Sequence, residues 1–223
     1  MRCNYTTKPE ISVMKQHIFT TFASLFFTQV VIAQSAGTFT DSRDGQTYKT
    51  ISFKEALTGK TVTWLAQNLN YKVEGSYAYD DHENNRNEFG LLYTWNAAKK
   101  ACPSGWHLPT DSEWAMLVDQ FGGMDKAGEA LKSVKGWKEE GNGNNSSGFD
   151  ALAGGLRKPD GSYLNLGSLG FFWTSTLTNS ADKVWEWNFH YGGPPSSNKQ
   201  NLKKAFRFDV EVTAGFSVRL VRD

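Results

Sequence analysis

The segment 184–189, of sequence VWEWNF, contains the residues of this chain best suited to bind a ligand. Alternate side chains of a strand point to opposite faces, so the aromatic rings would share one face and Glu186, Asn188 and His190 the other. In one interpretation the rings pack in the core and the polar face is exposed to solvent. In the other, the aromatic and polar side chains together contact a sugar or a peptide at the edge of the sheet. In the second case Glu186 and Asn188 are the predicted polar binding residues, because long polar segments flank the strand and rigid scaffolds carry binding on such loops.

A competing prediction places binding on the segment 74–90, which is polar and is predicted to be irregular. Asp80, Asp81, His82 and Glu83 form the densest polar cluster there. Carboxylates that lie close together can hold calcium through their oxygen atoms. The spacing lacks the alternation of an EF-hand loop, so a solvated acidic turn is the favoured interpretation.

The residues needed for enzyme chemistry are sparse. After residue 33 the histidines are His82, His107 and His190, and no two are spaced i, i+4. A nucleophilic triad needs a base beside the nucleophile, and His107 is predicted to be a structural hydrogen-bonding residue. Neither a GxGxxG segment nor a P-loop occurs. We therefore expect no enzymatic activity, no catalytic residues, no cofactor and no metal ion.

The composition indicates a globular domain rich in aromatic residues. Hydrophobic residues make up 39% of the 223 residues, with 8 Trp, 15 Phe and 8 Tyr, which is enough for a core built on aromatic rings. The formal net charge is +1 and no basic stripe is present, so we expect no nucleic-acid partner. After residue 34, no segment approaches the roughly 20 apolar residues that a membrane helix needs.

Residues 1–33 are predicted to be a leader that contains a secretory signal peptide. Met14, the predicted start of translation, is followed by a basic residue, two apolar runs and the small residue Ala33 before the cleavage point. The alternative is a short anchored helix. Residues 34–223 are expected to form a single domain, secreted or displayed at the cell surface, with no integral membrane segment after cleavage.

The segment 102–121 is predicted to hold the central helix. Thr110 occupies the N-cap position and Glu113 follows three residues later, which makes a capping box. Trp114 begins an apolar stripe at i, i+3, i+4 and i+7. Further helices are predicted over 92–102 and 126–134, a hairpin over 38–53, and strands over 61–65, 171–175, 183–191, 206–212 and 215–221. These elements indicate an α+β fold.

Six segments are distinctive: DSRDGQTYKT, LAQNLNY, GLLYTWNAAKKACPSGWHLPTDSEW, GFDALAGGLR, GFFWTST and GFSVRLVRD. Together they resemble the Fibrobacter succinogenes major paralogous domain family over residues 38–223. The segments LPTDSEW and VWEW are also similar to formylglycine-generating-enzyme-like domains, and both families belong to the C-type-lectin-like group. The resemblance implies a C-type-lectin-like fold, with two to three helices packed on a twisted antiparallel sheet. It also implies that Trp173 or Trp187 lies beside Glu186 and Asn188, which adds both tryptophans to the predicted ligand-binding residues.

The chain departs from these families in its cysteines. Formylglycine-generating enzymes use two cysteines late in the domain, whereas Cys102 is the last cysteine of this chain. Their iron-dependent relatives use a cluster of histidines, which this sequence also lacks. In the paralogous-domain family, cysteines often stand where this chain has Ala78 and Arg86, and a second pairing would join Cys102 to the position of Leu220. Cys102 is therefore predicted to be an unpaired, buried thiol without a reactive role.

Arg219 is predicted to have a structural role. It lies in the closing strand between Val218 and Leu220, which are expected to face inward. An arginine inside a β-rich core usually pairs with a carboxylate. A structural ion pair is therefore predicted for Arg219.

These observations predict a secreted or cell-surface binding or adhesion domain that is not an enzyme. The predicted partner is a glycan, a polysaccharide or another cell-envelope ligand, and this rests on analogy between folds and on the aromatic residues. One alternative is a structural subunit of a surface appendage or complex. A second is an enzyme of the formylglycine-generating type, which the missing cysteines disfavour.

Overall fold

The computed structural model describes residues 1, 34–55, 58–180, 182–194 and 199–222. The described residues from 34 onwards belong to one compact unit. The predicted leader and its start at Met14 lie outside the described residues. Within those residues, no helix combines the length and the apolar character that crossing a membrane requires.

The described chain contains eleven strands and four α-helices. The strands are β1 (Gln34–Thr40), β2 (Thr47–Lys54), β3 (Thr61–Leu65), β4 (Ser76–Tyr77), β5 (Leu92–Tyr93), β6 (Gly154–Arg157), β7 (Tyr163–Leu166), β8 (Leu169–Leu177), β9 (Lys183–His190), β10 (Ala205–Glu211) and β11 (Val221–Arg222). The helices are α1 (Glu83–Phe89), α2 (Trp95–Lys100), α3 (Asp111–Gln120) and α4 (Ala127–Leu131), and a 3₁₀ turn spans Tyr79–Asp81.

Two sheets organise the domain. The first has the order β1-β2-β3-β11, and β11 near the C-terminus closes it against β3. The second has the order β10-β9-β8-β6-β7 and is antiparallel apart from the single parallel contact between β6 and β8. Strands β4 and β5 form a separate short ladder. Few helices and largely antiparallel sheets confirm the predicted α+β class.

Helix α3 begins as the sequence predicts. Thr110 Oγ1 accepts a hydrogen bond from the Glu113 backbone N–H at 3.2 Å, and Glu113 Oε2 accepts one from the Thr110 N–H at 2.7 Å. This capping box satisfies two donors that the first turn of a helix leaves free. The other carboxylate oxygen of Glu113 lies 2.9 Å from His107 Nε2, which confirms the structural role predicted for that histidine.

Trp114 is the centre of one of two core clusters. Its side chain is fully buried, and its ring centroid lies 5.0–5.5 Å from those of Trp64, Phe149 and Phe172. These tilted and edge-to-face arrangements are the favoured geometries of aromatic pairs. The second cluster lies around Tyr93, Trp173 and Phe216. The core is therefore built on aromatic rings, as the composition predicts.

The other two predicted helices are shorter than expected. In the segment 92–102, residues 92–93 are strand β5 and the helix starts only at Trp95, because Thr94 is its N-cap and accepts from the Ala97 N–H. In the segment 126–134, the helix ends at Leu131, and Val134 is exposed rather than part of an apolar face. Both predictions of helix length were wrong because apolar periodicity continued past the hydrogen-bonded turns.

Two segments differ in kind from their predictions. The segment 74–90 is not irregular, since it holds β4, the 3₁₀ turn and α1, which ends at the buried Phe89. The segment 215–221 is not a continuous strand; it makes isolated bridges at Gly215, Phe216 and Ser217 before β11 begins. In each case, contacts with residues that are distant in sequence determine the local conformation.

Candidate functional site

The structure places the predicted ligand-binding residues in the interior. Glu186 and Asn188 are each 1% exposed, Trp187 is 3% exposed and Trp173 is fully buried. Strand β9 lies between β8 and β10, so neighbours cover it on both edges. The prediction of a solvated polar face was therefore wrong for Glu186 and Asn188, and a ligand at the surface would contact other residues.

Neighbouring rings cover the polar face of β9. Cross-strand register puts Phe208 of β10 opposite Glu186 and Phe206 opposite Asn188. On the other side, Trp173 of β8 is opposite Glu186. Residues directly opposite in a ladder share a face of the sheet, so Glu186 and Asn188 lie between aromatic side chains.

Glu186 and Asn188 form a hydrogen bond with each other, but their hydrogen-bonding capacity is not fully used within the described residues. Asn188 Nδ2 donates to Glu186 Oε1 at 2.7 Å. Within the described part of the chain, Glu186 Oε2 and Asn188 Oδ1 are buried without a hydrogen-bond partner. Burial raises the pKa of Glu186 to about 8, because the charged carboxylate loses its hydration there.

Both tryptophans support the core. Trp173 Nε1 donates to the Tyr93 carbonyl at 2.6 Å. Trp187 Nε1 donates to Asp111 Oδ1 at 3.0 Å, and the same carboxylate accepts from Arg207 at 2.7 Å. Trp187 and Arg207 therefore hold the start of helix α3 against the second sheet.

A polar groove of about 350 Å³ lies among the described residues. Five stretches that are separate in sequence line it: Gln46 and Lys49 around the start of β2, residues 66–70 after β3, residues 86–90 at the end of α1, residues 135–136, and residues 150–152. Its charged and amide-bearing lining residues are Gln46, Lys49, Gln67, Asn68, Asn70, Arg86, Asn87, Glu88, Lys135 and Asp150. Both signs of charge are present, so the groove offers hydrogen-bond donors and acceptors together.

The floor of the groove is fixed by Arg219. Its guanidinium donates to Asn68 Oδ1 at 2.7 Å and to the backbone carbonyls of Leu65, Phe149 and Asp150 at 3.0, 2.6 and 2.7 Å. Within the described residues these acceptors are three carbonyls and an amide, with no carboxylate among them, so the predicted ion pair was wrong. The structural role itself is confirmed, because Arg219 is fully buried and ties the segments after β3 and before β6 together.

Asn68 links the floor of the groove to the end of helix α1. Its Nδ2 donates to the Phe89 carbonyl at 2.7 Å and to Ser217 Oγ at 3.2 Å. Gly90 follows with φ of 76°, and a Cβ there would lie 2.8 Å from the Leu69 carbonyl oxygen. Only glycine accepts both that conformation and that close approach. The groove is consequently built on backbone that has little freedom to move.

The side chains along the walls of the groove are only partly fixed by hydrogen bonds. Arg86 Nε donates to Asn70 Oδ1 at 2.8 Å, and Gln67 Oε1 accepts from the Lys49 N–H at 2.7 Å. Glu88 and Lys135 are exposed. Their side chains form no hydrogen bond with the described residues, which leaves both available to a ligand.

The groove differs from the predicted site but includes part of the competing one. The segment 74–90 supplies one wall through residues 86–90. The acidic cluster itself is elsewhere: the Tyr163 hydroxyl donates to Asp81 at 2.9 Å, and no group of three or more His, Cys, Asp or Glu among the described residues is arranged to hold a metal ion. The sequence signal for the groove was the amide-rich segment AQNLNY directly after a buried strand.

Cys102 is half-buried and lies just beyond α2. Its Sγ lies 3.4 Å from the Ala98 carbonyl. Burial raises the pKa of the thiol to about 11, which keeps it protonated at neutral pH. It is a free cysteine, as predicted.

Comparison with known proteins identifies the family. The model of the Fibrobacter succinogenes major domain matches residues 41–222. No curated protein and no solved structure matched the chain. The matched range includes both sheets from β2 onwards, all four helices and every segment that lines the groove. The chain therefore belongs to the Fibrobacter succinogenes major domain family.

Proposed function

We propose that this domain is a secreted or cell-surface binding module that is not an enzyme, and that its polar groove holds a glycan. The observation that carries the proposal is the groove itself, which has amide, cationic and carboxylate side chains around a fixed floor. Sugar hydroxyls donate and accept at once, and such a lining can satisfy both roles. A preorganised floor lowers the entropy cost of binding.

The proposal includes a C-type-lectin-like arrangement of the sheets and helices. Support comes from the family resemblance, from β1 and β11 belonging to one sheet although they are distant in sequence, and from the connecting segments that line most of the groove. A reaction of the formylglycine-generating type is disfavoured, since Cys102 is the last cysteine of the chain and its thiol is protonated at neutral pH.

Export is part of the same proposal. The apolar runs before Ala33 are typical of a signal peptide, and cleavage after Ala33 leaves Gln34 as the first residue. N-terminal sequencing of protein recovered outside the cell is expected to give Gln34. Recovery of exported protein that still begins with Met1 would contradict this.

A glycan array, run with and without a chelator, tests the function. We expect binding to at least one glycan class. The double variant Glu88→Ala/Lys135→Ala is then expected to weaken binding at least about tenfold, which corresponds to the loss of about 1.4 kcal/mol. Unfolding should be unchanged, because neither side chain makes a hydrogen bond with the described residues.

The matched control is Glu129→Ala/Lys203→Ala. It also removes one acid and one base, from an exposed ion pair of 2.9 Å outside the groove. This variant is expected to bind like the parent. Equal loss in both double variants, or no binding to any glycan by the parent, would overturn the proposal.

A further inference from the structure

Strand β10 is an open edge of the five-stranded sheet. It pairs with β9 on one side only and ends the strand order β10-β9-β8-β6-β7. An edge strand presents unpaired backbone donors and acceptors to any strand that approaches it. Natural edges are usually short, covered or charged on the exposed side. Strand β10 differs because it exposes aromatic side chains beside its free backbone edge.

The backbone groups of Arg207 and Asp209 point away from β9. The Val212 N–H donates to the Asp182 carbonyl, which shows that even-numbered residues bond across to β9. The Ala205 N–H instead donates outward to the Met124 carbonyl. Arg207 and Asp209 share the orientation of Ala205, since alternate residues of an antiparallel strand face the same side. Within the described part of the chain, their N–H and C=O groups have no hydrogen-bond partner.

The same edge exposes an apolar strip. Phe208 is 53% exposed, and Phe206 and Val210 on the same face are partly exposed. The rings of Phe206 and Phe208 are stacked with centroids 6.3 Å apart. Beside Val210 an open apolar groove of about 330 Å³ continues the strip towards Phe216. An exposed apolar strip that continues into a groove is typical of a contact surface.

We propose that β10 pairs with β10 of a second copy of this chain, antiparallel and centred on Phe208. This register puts Phe208 opposite Phe208 and Phe206 opposite Val210. It puts Arg207, which is bound to Asp111, opposite Asp209, which is bound to Lys183, and does so twice, so the residues that face each other across the dimer axis are opposite in charge. Opposite charges and aromatic pairs in directly facing positions stabilise a ladder.

The backbone geometry selects this register. The outward groups of Arg207 must face the outward groups of another odd-numbered residue, and with Asp209 they form complete hydrogen-bonded pairs. A shift of the partner by two residues in one direction places Arg207 opposite Arg207. A shift in the other direction places Asp209 opposite Asp209. Both alternatives set like charges directly against each other, which destabilises a ladder.

The two copies would form one continuous ten-stranded sheet through an isologous, two-fold contact. Phe206 of the second copy would lie opposite Val210, at the rim of the apolar groove. The polar groove around Asn68 and Arg86 shares no lining residue with β10, so both copies would keep that groove open. The pairing therefore extends the proposed function by making the module bivalent.

Sedimentation of the purified protein at about 100 μM tests the pairing, a concentration chosen because small interfaces are weak. The parent is expected to sediment as a dimer. Phe208→Glu is expected to sediment as a monomer, because it puts two carboxylates at the dimer axis. Leu164→Glu is the matched control: Leu164 is 46% exposed on β7, the opposite edge of the same sheet, and this variant is expected to remain dimeric.

Cross-linking tests the register independently of affinity. In a background with Cys3→Ala and Cys102→Ala, Phe208→Cys is expected to form an intermolecular disulfide on mild oxidation, since facing residues of a non-hydrogen-bonded pair lie about 4.5 Å apart at Cα. Asp209→Cys is expected not to cross-link, because the two positions would lie beyond the roughly 7 Å that a disulfide spans. A monomeric parent, a dimer that persists in Phe208→Glu, or cross-linking through residue 209 rather than 208 would overturn the proposal.

Discussion

Replacing Glu186 by glutamine is expected to change how stability depends on pH. Glu186 is 1% exposed, and its Oε2 has no hydrogen-bond partner among the described residues. Burial raises its pKa from 4.5 to about 8, so between these values the folded protein holds a proton that the unfolded chain releases. The stability that Glu186 contributes is fully present below pH 4.5 and is lost as the pH rises through about 8.

The size of the effect follows from proton linkage. Each pH unit in that window lowers the free energy of unfolding by about 1.4 kcal/mol, and the loss reaches about 3 kcal/mol at pH 7. Glutamine cannot ionise and keeps an acceptor for Asn188 Nδ2. Relative to the parent, Glu186→Gln is therefore expected to gain stability steadily from pH 4.5 to pH 8.

In the parent alone this trend would be obscured, because two bases, the half-buried His190 and the buried Lys132, act in the opposite direction. Burial lowers the pKa of His190 to about 4 and that of Lys132 to about 7. Lys132 is fully buried and its Nζ donates to the carbonyls of Gly141 and His190 at 2.6 and 2.8 Å. Each base binds a proton in the unfolded chain before it does so in the folded one, so each makes stability rise with pH below its ordinary pKa. The difference between variant and parent cancels both contributions.

Urea unfolding at five or six pH values between 4.5 and 8 measures this difference. The control is Glu211→Gln, which removes an exposed glutamate from the neighbouring strand. Its difference from the parent is expected to stay constant within about 0.5 kcal/mol. A difference for Glu186→Gln that is equally flat would refute the conclusion that Glu186 is a buried, protonated carboxyl at neutral pH.

Three further predictions concern the scaffold. Arg219→Met is expected to lower the free energy of unfolding by more than about 3 kcal/mol, because it leaves buried acceptors unpaired; a loss below about 1 kcal/mol in urea unfolding would mean that the carbonyls find other donors. Thr110→Ala is expected to cost about 0.5–2 kcal/mol and Thr110→Ser much less, so equal losses in the same assay would show that the hydroxyl does not cap α3. The free thiol of Cys102 is expected to react with iodoacetamide at pH 7 far more slowly than a small model thiol, since burial raises its pKa to about 11. In monomeric protein the melting temperature should not change with reductant, and a drop of several degrees would contradict the free state of Cys102.

Local signals in the sequence predicted what local contacts determine. The spacing of Thr110 and Glu113 fixes the start of α3 because both partners lie within one turn. The alternation in 184–189 correctly predicted a strand, since it reflects the geometry of the strand alone. Its burial could not be predicted in the same way, because the rings that cover Glu186 come from β8 and β10 and no pattern within β9 records them.

The candidate site was missed for the same physical reason. Its floor depends on Arg219 reaching backbone carbonyls 69–154 residues away in the chain. Side-chain identity predicts a carboxylate partner for a buried arginine, but carbonyl acceptors have no sequence signature. Helix α1 was missed because its sequence, ENNRNEF, buries only Phe89 and so lacks an apolar period.

Amide chemical shifts in ¹⁵N-labelled protein test whether the polar groove binds a glycan. An oligosaccharide selected on the array would be titrated into the protein. The largest shift changes are expected to cluster at residues 66–70, 86–90, 135–136 and 150–152, and Glu88→Ala/Lys135→Ala is expected to weaken them. Changes centred on β9 and β10 instead, with the groove residues unaffected, would contradict it.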